Sequence, residues 1–161
     1  MKKLIITVLF ITLMPKGENI DADYLKVFEG EWQGTLTYLN YGDDETLVNL
    51  PVRMVAELHK GKLSFEYFYN EGNGRTEKRK DSFRVKGDKI YHNGKWSLES
   101  SELIDTAHWS LILTSKGKDN NRPASFRKTV NVTPERIQVE KWVLYEGEQE
   151  YFMRNRHIFE K

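Results

Sequence analysis

From Glu31 onward, apolar and polar residues alternate along the chain, the period of strands with one buried face. In Glu31 to Tyr41, Trp32, Gly34, Leu36 and Tyr38 share a face, and Gln33, Thr35 and Thr37 oppose them. Thr46 to Leu58 groups Leu50, Val52, Met54, Ala56 and Leu58. Pro51 within it marks an edge or a bulge, because proline has no N–H for a ladder. Leu63, Phe65, Tyr67 and Tyr69 form an aromatic stripe. Lys78 to Val85 is a polar strand. Ile90-Tyr91 and Lys95 to Leu103 flank Asn93-Gly94, the strongest hairpin signal in the chain. Ala107 to Ser115 aligns Trp109, Leu111 and Leu113. Ser125 to Thr133 aligns Phe126, Val130 and Val132, and Arg136 to Tyr145 aligns Ile137, Val139, Val143 and Tyr145. Glu150 to Glu160 closes the chain.

About ten strands follow one another at spacings of roughly 8–15 residues, joined by turns. The only helical signal in this region is one or two turns over Asp21 to Glu29, ending at Gly30. Parallel pairing needs long crossovers, and none is available, so the sheet is expected to be antiparallel. A closed barrel removes sheet edges, and no strand carries an edge strand's dense charge throughout. The expected fold is therefore all-β, an up-and-down antiparallel barrel spanning residues 18–161. Asn70 to Gly74 and Gly117 to Pro123 read as its polar loops.

Met1 to Gly17 stands apart. Lys2 and Lys3 precede the run Leu4 to Met14, which is too short to span a bilayer but suits a signal peptide. The expectation is export to a periplasmic or extracellular location, with no stable membrane insertion once the signal is removed. The 161 residues include no Cys, which excludes a lipid anchor on cysteine, disulfides and thiolate metal sites. Three of the 25 basic residues lie in 1–17, leaving 22 against 24 acidic, a net of −2. That balance gives no electrostatic case for nucleic acid as a partner. Arg75, Lys78, Arg79 and Lys80 cluster locally, but Glu71, Glu77 and Asp81 interrupt them, as on a solvated hairpin.

The segment Phe28-Glu29-Gly30-Glu31-Trp32-Gln33-Gly34, placed between a helical turn and the first strand, resembles the opening of calycins, the lipocalins and their relatives. The resemblance implies a lipocalin-like barrel in which Gly30 and Trp32 help close one end. It also implies a basic residue of the last strand, Arg154 or Arg156, packed across the indole. Among calycins, the nitrobindin-like haem barrels open similarly; Gly30, Trp32 and Gly34 match their pattern, and Leu36 departs from it. That resemblance implies His157 as a haem ligand and makes haem the one cofactor to consider.

A barrel of this kind is expected to bind a small apolar or amphipathic molecule inside. The alternating faces assign the lining to Leu36, Tyr38, Met54, Phe65, Tyr67, Trp109, Leu111, Val139 and Val143. Lys128 and Lys141 fall on otherwise apolar faces, where a charge is costly unless paired. They are either polar anchors for a ligand or, if a bulge shifts the register, solvent-facing. His157 shares a face with Tyr151, Met153, Asn155 and Phe159, while His59, His92 and His108 sit in or beside turns and read as surface residues. No nucleophile elbow, phosphate loop or carboxylate pair is present, which points to binding rather than catalysis. The alternative to a ligand cavity is a filled barrel that acts through its loops.

Overall fold

The computed structural model describes residues 20–161 except Asp88; the export signal expected at 1–17 lies outside the described residues. One short helix, α1 (Ala22–Leu25), runs into a 3-10 turn at Lys26–Phe28. Asp21 caps it by accepting a hydrogen bond from the Asp23 amide at 2.8 Å. Ten strands follow: β1 (Gly30–Leu39), β2 (Leu47–His59), β3 (Lys62–Asn70), β4 (Thr76–Lys86), β5 (Lys89–Tyr91), β6 (Lys95–Asp105), β7 (His108–Asp119), β8 (Arg122–Val132), β9 (Arg136–Tyr145) and β10 (Phe152–Glu160). Each pairs antiparallel with its neighbours in sequence, and β1 pairs with β10 to close the barrel.

Backbone geometry in β1 explains both glycines of the opening motif. Gly30 has φ +110°, a conformation glycine adopts without strain. At Gly34 a Cβ would stand 2.0 Å from the Ile158 carbonyl oxygen, so only glycine lets the two backbones meet there. Trp32 is fully buried, and its indole Nε1 donates to the Phe28 carbonyl at 2.8 Å. That bond ties the strand to the helical turn, whose Ile20, Leu25 and Phe28 plug this end of the barrel.

Pro51 lies at the end of β2 that β3 does not reach, since the β2–β3 ladder begins at Val52. The expected loop at 117–123 is shorter than its composition suggests. β7 and β8 continue to Asp119 and Arg122, leaving Asn120 and Asn121 to turn the chain, both at positive φ. Two such residues form the primed turn that suits strand twist. In β8 the register runs without a bulge, so Lys128 faces inward.

β10 does contain a bulge, between Met153 and Asn155. The extra residue, Arg154, turns inward and is fully buried. The bulge changes the expected face of β10. Asn155, His157 and Phe159 stay together, but Met153 pairs with the outward Trp142. β5 is only three residues long and pairs with β4 over Arg84–Lys86 alone. Among the described residues, Thr76–Phe83 therefore has a strand partner only on its β3 side, and this part of the wall is open.

Candidate functional site

The interior is half filled. At the helix-plugged end Phe65, Met54, Trp109 and Leu111 pack with Trp32 and Phe28, all buried. A space of only about 20 Å³ remains there, touched by Met54, Phe65, Tyr67 and Val139 among others. Phe126, Val143 and Tyr145 fill the β7–β9 side at the other end. Between them lies a cavity of about 350 Å³, which reaches the open stretch of β4 and includes Tyr67, Lys128, Val139, Lys141, His157 and Phe159 in its wall. A second space of about 340 Å³ adjoins it through Tyr69, Arg79, Asn155 and His157, and is lined by Leu36 and Tyr38. Of the expected lining residues, Met54, Phe65, Trp109, Leu111 and Val143 belong to the packed regions and line neither of these two cavities.

Ladder register explains the polar wall. Lys128 stands directly opposite Lys141, Lys141 opposite Asn155, and Val139 opposite His157. Across the barrel, Asp81 of β4 pairs with Phe65 and Arg79 with Tyr67. The β5–β6 turn, at Asn93-Gly94, folds His92 inward rather than to the surface as its turn position suggested. Its side chain is only 13% exposed. Trp96 holds the turn from below by donating Nε1–H to the His92 carbonyl at 2.8 Å.

These groups form a chain. Asp81 Oδ2 lies 2.8 Å from His92 Nε2, and His92 Nδ1 lies 3.0 Å from Lys128 Nζ. Lys128 Nζ also lies 3.4 Å from the His92 carbonyl and 4.2 Å above the Trp96 ring. Asp81 is held on both oxygens, by the Ser82 amide at 2.6 Å and the Asn93 side chain at 2.7 Å. Burial alone would raise the Asp81 carboxyl, but the His92 hydrogen bond, these contacts and Lys128 outweigh it and hold it low. Burial and the Lys128 charge push His92 down. The neutral imidazole then keeps its proton on Nε2, toward the carboxylate, and offers the Nδ1 lone pair to Lys128. Burial pushes Lys128 itself down to about 7, with Lys141 adding to the shift and Asp81 opposing it.

His157 is part of the aromatic wall. Its ring lies 5.7 Å from Phe159, nearly parallel, and 5.9 Å from Tyr67. Its Nε2 lies 3.2 Å from the Tyr69 hydroxyl. Burial, with the His92 and Lys128 charges, pushes His157 down to about 4, and burial pushes Tyr69 up to about 12. Both are neutral at ordinary pH.

The arginines expected over Trp32 sit elsewhere. Lys161, at the C-terminus, places Nζ 4.5 Å over the indole. Arg154 lies on the opposite side of the barrel because the bulge aims it there. Its guanidinium donates to Asp44 at 2.7 Å, to Asp119 at 2.5 Å and to the Tyr145 hydroxyl at 2.9 Å. It thereby fastens the β1–β2 loop to the β7 end. Arg156 points outward, 4.0 Å from Glu140. Lys141 Nζ lies 3.6 Å from Asp119 and 4.4 Å over Phe126.

No protein-family model and no curated protein matches the chain. Solved structures do. A crystal structure of Rv2717c from M. tuberculosis superposes with a TM-score of 0.62 at 12% identity, covering 89% of this chain and 99% of that one. The S-type phycobiliprotein lyase CPES from Guillardia theta gives 0.59 at 9% identity, covering 89% and 93%. The likeness is one of fold. The closed ten-strand barrel is the architecture that the Gly30–Trp32–Gly34 opening suggested.

Sequence reasoning missed Asp81, Arg79 and His92. The solvated-hairpin reading holds for Lys78 and Lys80, which pair with Glu66 on the outer face at 2.9 and 3.0 Å. Arg79 and Asp81 alternate with them and face the cavity. Phe83, buried and in phase with both, was the signal available.

Proposed function

We propose that the barrel binds a small amphipathic molecule with an aromatic or conjugated body and an anionic or carbonyl-bearing end. The observation that carries this reading is the division of one cavity wall into two chemistries. Tyr67, Tyr69, His157 and Phe159 offer flat apolar surface, while Lys128, held by no carboxylate among the described residues, faces the same space beside Lys141 and Arg79, whose charges are met by Asp119 at 3.6 Å and Glu77 at 2.6 Å. Sites of this kind combine apolar walls with a few convergent polar groups. The space beside Lys128, about 350 Å³, falls in the range of about 300–1,000 Å³ for such sites and has room for a one- or two-ring body. A phycobiliprotein lyase on the same fold is compatible with an interior used for ligand binding. Export belongs to the proposal, supported by Lys2, Lys3 and the apolar run after them. So does the absence of a membrane span: among the described residues no helix is long and apolar enough to cross one.

Haem ligation by His157 is the weaker reading. The Nε2 that would bind iron already faces Tyr69, and the ring lies between Tyr67 and Phe159. The residues present do not fit a macrocycle on that histidine.

The test is a titration of isotope-labelled protein with 2-naphthoate, followed by amide chemical shifts. Shifts are expected at Tyr67 to Asp81, Lys128, Val139 to Lys141 and Asn155 to His157, saturating with one equivalent. Saturable shifts confined to the outer surface, or none at millimolar naphthoate, would refute the reading.

A further inference from the structure

Lys128 is held in an unusual way for a buried lysine. It is 5% exposed, yet among the described residues no carboxylate stands within ion-pair distance of its Nζ. Its polar partners are two atoms of one residue, Nδ1 and the carbonyl oxygen of His92. Both are acceptors when the imidazole carries its proton toward Asp81. A neutral amine has two N–H bonds and one lone pair. With both N–H bonds directed at His92, the lone pair is left to face the cavity. A buried amine of this kind, desolvated and beside a second cation, is the arrangement that makes lysine a nucleophile. The second cation here is Lys141, directly opposite on β9.

We infer that Lys128 captures an aldehyde or ketone in the barrel cavity as an imine, with His92, oriented by Asp81, as the group that accepts and returns the proton. This inference rests on the cavity being a binding site, as proposed above. The Nζ lone pair forms a bond to the carbonyl carbon, and the carbonyl π pair moves to oxygen. Nδ1 of His92 takes one proton from Nζ and passes it to the alkoxide oxygen, giving a neutral carbinolamine. The imidazolium so formed lies 2.8 Å from Asp81. His92 then takes the second Nζ proton and delivers it to the hydroxyl, which leaves as water while the nitrogen lone pair completes the C=N bond. Amine and carbonyl become imine and water, and no oxidant or reductant is consumed. The flat wall of Tyr67, His157 and Phe159 suits a conjugated aldehyde.

The experiment uses the full chain, benzaldehyde as probe and cyanoborohydride to reduce any imine irreversibly. Intact mass and peptide mapping read the product. At pH 7 a single benzyl group is expected on Lys128, formed at least tenfold faster than on any exposed lysine. Half of an amine titrating at about 7 is free at that pH, against roughly 0.03% at 10.5. The Lys128 rate should fall below pH 7 and level off above it, while the exposed lysines keep rising. Lys128→Met should remove the fast label, and His92→Gln should slow it tenfold or more. Benzyl groups spread over the exposed lysines, with Lys128 no faster than the rest, would overturn the inference. If naphthoate binds in the cavity and Lys128 is still not labelled, only the imine chemistry falls. If neither probe enters, the binding reading falls with it.

Discussion

Replacing Lys128 with methionine should stabilise the protein at pH 6 and destabilise it at pH 10. The unfolded chain holds the lysine proton up to 10.5, whereas the folded chain releases it near 7. Between those values the unfolded state binds more protons, so the stability due to this group rises with pH. Below 7 the full cost of burying the ammonium is present, and above 10.5 it vanishes. A difference of 3.5 in pKa corresponds to about 5 kcal/mol at 1.36 kcal/mol per unit, of which about 4 kcal/mol is recovered between pH 6 and pH 10. Methionine has a similar length and no charge, so the variant lacks this dependence. It also leaves the His92 acceptors without their donor, at about 1–3 kcal/mol at either pH. The balance is a gain of about 2–4 kcal/mol at pH 6 and a loss of about 0–2 kcal/mol at pH 10. Urea unfolding followed by tryptophan fluorescence at both pH values measures it. Lys128 also pushes His92 and His157 down, so its removal relieves that repulsion and adds to the gain at pH 6 while adding nothing at pH 10. A Lys128→Met effect of the same sign and within about 1 kcal/mol at the two pH values would show that the lysine is not desolvated as its surroundings imply.

Two further substitutions test the frame around the cavity. Gly34→Ala places a Cβ 2.0 Å from the Ile158 carbonyl oxygen, which belongs to backbone and cannot rotate away. A loss above about 4 kcal/mol or no folded protein is expected; a fall in melting temperature of only a few degrees would refute the tight seam. Arg154→Met leaves Asp119, only 2% exposed, without its guanidinium partner and should cost about 3–5 kcal/mol in urea unfolding. The same variant should raise amide exchange in residues 40–46, since the Asp44 contact is lost; unchanged protection there would refute the clasp.

The strands were legible because burial of one face leaves a period of two in the sequence, and Phe65, Leu111 and Val139 obeyed it. Lys128 was legible as an inward residue for the same reason, though only the unbulged β8 register decided its direction. Arg154 was not, because a bulge inserts one residue and reverses the face of everything on one side of it. His92 was hidden differently. Turn positions usually face solvent, but β5 is too short to complete the wall, and the turn side chain fills part of the gap. The size of the cavity was not legible at all. It depends on which inward side chains reach across the barrel, and the aromatic count is the same for a filled interior and a half-filled one.

The placement of charge argues that the cavity is more than a packing fault. A barrel held without disulfides depends on its apolar core, and an apolar fill would be cheaper than two facing lysines. The costly groups are not scattered. Lys128, His92 and Asp81 adjoin Thr76–Phe83, a stretch of wall that, among the described residues, has a strand partner on one side only and where a ligand has a way in. The helix-plugged end and the Phe126–Tyr145 side are packed and supply the stability that this region lacks. Asp119 and Arg154, the other buried charges, satisfy one another and fix a loop. Lys128 has no such carboxylate, and its orienting partner is an imidazole that can take up a proton and give it back. A group placed only for stability would have been given the acid.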